Sequence, residues 1–276
     1  MRFGVVLPGG SPEVQLDLAE AAEQAGWDGV FVWEAAYGVD AWCLLSAMAM
    51  RTKRIRLGTM LTPLPWRRPW KVASQVATLD QLSDGRAILG VGLGAVDTGL
   101  GQTGEIEDRR QRAELLDDGI GMIQAMWSGD LSYQGRHHTI DLSERVDLAS
   151  FRPVQTRRPI WVVGRYPSAK SMARVLRCDG WIAEMVTPDP EKLRAGCEWL
   201  EAWRQEGMHP DQEIDVICEG ETPEDDPAAG RATVALWGSK GATWWLESRW
   251  GGESPRVADM GRRIAAGPPV SPTARR

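Results

Sequence analysis

Residues 54–95 read RIRLGTMLTPLPWRRPWKVASQVATLDQLSDGRAILGVGLGA. Positions 55–61 form a near-continuous apolar run, as expected of a parallel strand covered on both faces. Pro69 then opens a helix, since proline at the first helical position lacks only an N–H that has no partner there. Val72, Val76, Leu79 and Leu82 make one apolar stripe at helical spacing, and Gly85 supplies a left-handed stop, which ends the helix at residues 83–84. Positions 87–91 are a second short apolar strand. The unit is therefore strand, helix, strand, joined by a right-handed crossover. Gly90, Gly92 and Gly94 alternate along the second strand and out of its carboxyl end. Missing side chains there either leave room for a flat ring or allow close packing, and spacing alone admits both.

The same alternation extends in both directions. Strands are expected at 3–7, 29–33, 160–163, 180–184, 214–218 and 243–246. Ser11 with Pro12 caps a helix that Gly26 stops, and Asp40 caps another through Met50. Longer helices fall at 107–127 and 190–206, shorter ones at 168–177 and 228–237, and a closing one at 253–266. Residues 128–159 break the pattern, and YQGRHHTIDL within them reads as a small hairpin. Eight strands with intervening helices predict an α/β fold, a (β/α)8 TIM barrel with an inserted hairpin excursion and a C-terminal helix, in one domain over 1–266. A doubly wound open sheet is the alternative. Residues 267–276 are expected to be a disordered tail.

Thirty-eight acidic against 32 basic residues give a net charge of −6 without a long basic block, which argues against nucleic acid and anionic membranes. The four cysteines are scattered with no Cys-x-x-Cys pair, and neither a signal-peptide core nor a membrane-length apolar run is present. A reduced, cytoplasmic protein is expected. Fourteen tryptophans against three Tyr and three Phe suit a core or an interface, and Trp33 and Trp66 lie near strand ends, where they could wall a pocket.

Barrel enzymes place their sites at the carboxyl ends of the strands. Those positions hold Glu34, Met60, Leu61 and Thr62, the glycines at 92 and 94, residues 164–168, and Glu184, Glu219 and Glu247. Four glutamates admit a metal-dependent hydrolase or isomerase. The three histidines all fall elsewhere, so no metal ligands are assigned. Gly164, Arg165, Tyr166 and Ser168 link a strand to a helix start, where a phosphate could accept backbone N–H groups; an ordinary serine cap fits equally. GVGLGA departs from the GxGxxG dinucleotide pattern at Ala95.

GWDGVFVWE at 26–34, RIRLGTMLTPLP with RP and ATLDQLSDGR at 54–86, LGVGLG at 89–94 and RPIWVVG with DGW at 158–181 together resemble the bacterial luciferase-like, flavin-dependent monooxygenases and reductases. The resemblance implies a barrel that holds FMN, or in a related branch the 5-deazaflavin coenzyme F420, with its ring in the barrel mouth. It implies a phosphate site at 164–168 and a non-prolyl cis peptide between Met60 and Leu61. It also implies a homodimer through the helices after the second and third strands. This chain departs from luciferase where reactive groups are expected: Ala35 and Ala36 replace paired histidines, Gly92 a cysteine and Leu93 an arginine. Glu34 is then the candidate catalytic acid or base. The expected function is that of a flavin-dependent oxidoreductase, an FMN monooxygenase using oxygen on a small organic substrate, with a deazaflavin-dependent reductase as the alternative.

Overall fold

A computed structural model of the chain describes residues 1–96, 99, 101–145, 147–148, 151–157, 159–185, 187–206, 213–250 and 257–270. Eight parallel strands, β1 (Arg2–Val6), β2 (Gly29–Val32), β3 (Arg56–Thr59), β4 (Ala87–Gly92), β5 (Ile160–Gly164), β6 (Gly180–Ala183), β7 (Asp215–Gly220) and β8 (Trp244–Glu247), pair in sequence order. β8 returns to β1, with Arg2 opposite Trp244 and Val5 opposite Glu247, so the sheet closes into a (β/α)8 barrel. The helices are α1 (Pro12–Ala25), α2 (Ala41–Arg51), α3 (Pro69–Leu82), α4 (Arg109–Ser128), α5 (Ala169–Val175), α6 (Pro190–Gln205), α7 (Pro227–Ser239) and α8 (Val257–Ala265).

Local chemistry sets the helix ends. Asp40 and Asp108 each accept a backbone N–H from the first turn they cap, from Cys43 at 2.8 Å and Gln111 at 2.7 Å. Gly26 and Gly129 end α1 and α4 at φ of 84° and 94°. At the end of α3 the expected single glycine stop is a two-residue one: Asp84 joins Gly85 at positive φ, while the Asp80 carbonyl accepts the Gly85 N–H.

The third strand is not the unbroken run expected at 55–61. It leaves the ladder after Thr59, passes through a cis Met60–Leu61 peptide, and rejoins as Thr62–Pro63 opposite Val91 and Gly92. The Thr59 hydroxyl crosses to the Gly90 carbonyl at 2.9 Å, and Thr62 donates to Thr59 at 3.1 Å, so the break is tied across its neighbours.

The barrel interior is aromatic. Phe31 stacks on Trp161 with ring centroids 5.3 Å apart, and Trp161 meets Trp244 edge-on at 5.0 Å. Gly4, Gly29 and Gly58 make this possible, since a Cβ at any of them would come within 3.0 Å of the Phe31 ring. The excursion contains the expected hairpin, Ser132–Gln134 against Thr139–Asp141. Asp118 of α4 anchors it by accepting from the Tyr133 hydroxyl and the backbone N–H groups of Arg136, His137 and His138. Burial pushes that carboxyl's pKa up, but the four donors together hold it below the usual range.

The packed chain runs past residue 266. Gly267, Pro268 and Pro269 are buried, and the Gly267 carbonyl accepts from the buried Arg263 guanidinium at 2.8 Å. The first residues of the expected tail, 267–269, are therefore packed, and positions 271–276 lie outside the described residues. No helix among the described residues is long and apolar enough to cross a membrane.

Candidate functional site

A cavity of about 610 Å³ opens at the carboxyl ends of the strands. Its floor is apolar: Met60 and Leu61 at the break in the third strand, Val163 at the end of β5, and Ile182 on β6. Trp33 follows β2 and Trp250 follows β8 at the rim. Trp66, expected to wall a pocket, instead stands behind the site, donating to the Ile106 carbonyl and covered by the Arg112 guanidinium 5.2 Å from its ring centre.

Glu34 lines the cavity with a side chain only 5% exposed. Its Oε1 accepts from Arg67, whose other arm reaches Gln75 at 2.9 Å, while Oε2 has no hydrogen-bond partner. Desolvation raises the Glu34 pKa above the ordinary carboxylate value, and the nearby Arg67 charge offsets only part of the rise. A buried carboxyl of this kind in a cavity wall can hold a proton and release it.

Other expected residues are placed differently. Gly94 lines the cavity, but Thr62, Gly92, Gly164, Arg165, Tyr166 and Ser168 do not. Glycine in the fourth strand serves packing, because a Cβ at Gly90 would lie 2.1 Å from the Thr59 carbonyl oxygen, one at Gly92 2.8 Å from Leu61, and one at Gly94 2.2 Å from Trp66. The position a Cβ would take at each is thus occupied by the protein itself, while Gly94 also lines the cavity. The turn after β5 is also closed on itself. Gly164 accepts from the Trp181 indole at 2.8 Å and Arg165 N–H donates to Ser171 Oγ at 3.0 Å, while Ser168 caps α5 without a side-chain hydrogen bond.

The basic part of the wall comes instead from α4 and α5. Arg109, Arg112, Ser171 and Arg174 line it. Arg174 is neutralised by Asp117 at 2.8 Å. Among the described residues, Arg109 and Arg112 have no carboxylate partner; Arg112 bonds only to the carbonyls of Leu93, Gly94 and Glu107. The sequence carried a signal for them. Arginines at 109, 110 and 112 crowd the positive end of a helix, where the dipole disfavours them, so a compensating anion is expected nearby.

The glutamates do not gather. Glu247 is fully buried on the outer face of β8, toward α8, where it accepts from Thr222 N–H and hydroxyl at 2.8 and 2.6 Å and faces Arg263. Glu34 is held by Arg67, and only Glu184 and Glu219 stand at the wall beside it. Among the described residues no three His, Cys, Asp or Glu side chains are placed to share a metal ion.

The closed parallel barrel thus carries at its strand ends a cavity that is apolar below and basic on one side. The chain belongs to the luciferase-like monooxygenase family, whose model matches residues 1–257. It is 31% identical over 167 residues to the F420-dependent glucose-6-phosphate dehydrogenase of Amycolatopsis mediterranei, covering 56% of this chain and 49% of that protein. It is 37% identical over 130 residues to the 4-hydroxyprotoasukamycin monooxygenase of Streptomyces nodosus, covering 45% and 34%. The chain spans about half the length, or less, of these curated relatives. Among solved structures it superimposes on an F420-dependent secondary alcohol dehydrogenase in complex with an F420-acetone adduct, with a TM-score of 0.77 at 18% identity, covering 96% of this chain and 97% of the other. The FMN complex of the oxygenating constituent of 3,6-diketocamphane monooxygenase of Pseudomonas putida gives 0.72 at 17% identity, covering 96% of each chain. These two likenesses are of fold.

Proposed function

We propose that this chain is an oxidoreductase that binds a deazaflavin coenzyme in the strand-end cavity and exchanges a hydride with an organic substrate beside it. One observation carries this: a single cavity joins an apolar floor to two arginines that no carboxylate among the described residues neutralises. That donor set fits a coenzyme with a planar ring and a phosphate-bearing tail. Bound there, the coenzyme supplies the redox chemistry, as cofactors do.

The chain's own residues supply the rest. Met60, Leu61 and Val163 form the apolar surface that excludes water from beneath a ring. Arg109 and Arg112 bind the anionic tail, with Ser171 beside them as a hydroxyl donor. Glu34 holds or moves a proton at Oε2, within a wall that contains no histidine among the described residues. The deazaflavin coenzyme is preferred over FMN because the dehydrogenase relative with broader coverage is F420-dependent. An FMN-dependent monooxygenase is the second reading, supported by the monooxygenase relative, and it would use oxygen as co-substrate. A homodimer through α2 and α3 belongs to the same proposal.

Titration of the purified protein with coenzyme F420 and with FMN, oxidised and reduced, separates these. Saturable one-to-one binding of F420, weakened by Arg109→Ala, is the expected result. Tight FMN binding with substrate-dependent oxygen uptake would favour the second reading. Failure of both coenzymes to bind would remove the proposal.

A further inference from the structure

The cavity wall carries opposite charges on opposite sides. Six charged side chains line it, and two are ion-paired within the protein, Glu34 with Arg67 and Arg174 with Asp117. The other four have no ion-pair partner among the described residues. Arg109 and Arg112 stand on the β4–α4 side, while Glu184 and Glu219 follow β6 and β7. A ligand that covers all four meets cations at one end and anions at the other.

Two indoles stand in the same wall, one of them bonded to the acidic pair. Trp33 and Trp250 line the cavity yet are 39% and 54% exposed, unusual for indoles in a protein whose Trp161, Trp181 and Trp244 are fully buried. Trp250 Nε1 donates to Glu219 Oε2 at 2.7 Å, which holds ring and carboxylate together. Glu34, after β2 in the same wall, adds a buried carboxylate whose Oε2 has no hydrogen-bond partner. Carboxylates set among tryptophan faces recognise a cation twice, by charge and by the ring quadrupole, and hydrogen bonds to an N–H donor fix its position.

We propose that the substrate is a protonated amine on an apolar, aromatic-sized body, held by Glu184 and Glu219 against Trp33 and Trp250, beside the coenzyme end of the same cavity. The assignment of the two ends rests on the coenzyme proposal above. It sets this chain apart from a sugar-phosphate dehydrogenase, because a phosphate dianion placed here would meet two uncompensated carboxylates.

Phenethylamine, phenethyl alcohol and phenylacetate share one frame and differ in charge, so calorimetric titration of the three into the full-length protein reads the preference directly. The amine is expected to bind about tenfold tighter than the alcohol, with phenylacetate weakest, and added salt should weaken the amine alone. In the double variant Glu184→Gln/Glu219→Gln, checked for native circular dichroism, the amine should fall to the affinity of the alcohol. Equal binding of the three, binding of none, or an amine preference that survives the double variant would overturn the inference. Coenzyme titration of the same samples keeps the two proposals separate. Coenzyme binding without amine preference removes this one alone, and amine preference without coenzyme binding removes the coenzyme proposal alone.

Discussion

Glu34 and Arg67 show how one buried pair sets a local proton balance. Glu34 lost more hydration than Arg67 restores, so the folded protein keeps a proton that the unfolded chain has already released at the same pH. Native protein then binds more protons than unfolded protein, and stability falls as pH rises from the ordinary carboxylate value through the raised one. Glu34→Gln should flatten that fall, as followed by urea midpoints across the mildly acidic to neutral range. It should also cut turnover about a hundredfold with coenzyme affinity unchanged, if the carboxyl moves a proton in the reaction. Arg67→Ala should act in the other direction, steepening the fall and costing about 1–3 kcal/mol at neutral pH, since the carboxylate then has no counter-charge. Glu34 was legible from its place after the second strand. Arg67 was not, because its reach to Glu34 depends on how the loop before α3 lies across the barrel mouth.

At the scale of elements, β4 is constrained by its neighbours more than by any ligand. A methyl group at Gly90 would enter the Thr59 backbone, whereas one at Gly92 would meet the side-chain end of Leu61, which can turn away. Gly90→Ala should therefore cost several times as much as Gly92→Ala, which should fall within about 1–3 kcal/mol, as read by chemical denaturation. The order and kind of the elements were legible because helices announce their ends through short-range chemistry, as Asp40, Asp108, Gly26 and Gly129 do. The cavity wall was less so. Arg109 and Arg112 reach it only through the packing of α4 beside β4, and the turn at residues 164–168 is drawn inward by Trp181 and Ser171. Both are long-range facts that no window of sequence contains. The break in the third strand was expected only through family resemblance, since its residues read as one apolar run.

The whole molecule offers two further measurements. A coenzyme that binds only the folded state should raise stability by about 2.7 kcal/mol at a hundredfold excess over its Kd, seen as an upward thermal shift, and Arg109→Ala should shrink the shift at equal coenzyme concentration. Met50 on α2 and Leu82 on α3 are 64% and 46% exposed, apolar surface that the proposed dimer would cover. Light scattering should give the mass of two copies, and Met50→Glu with Leu82→Glu should give that of one. The seam between β1 and β8 has a different consequence. It joins Arg2 to Trp244, and behind it Trp27 donates to Ile264 while Arg263 lies 5.0 Å over the same ring. Each of these contacts links the first strand-helix unit of the barrel to the last. Until Trp244–Glu247 emerges, β1 has a bare edge able to pair with any passing strand, so the nascent chain stays open to aggregation until the whole barrel has been made.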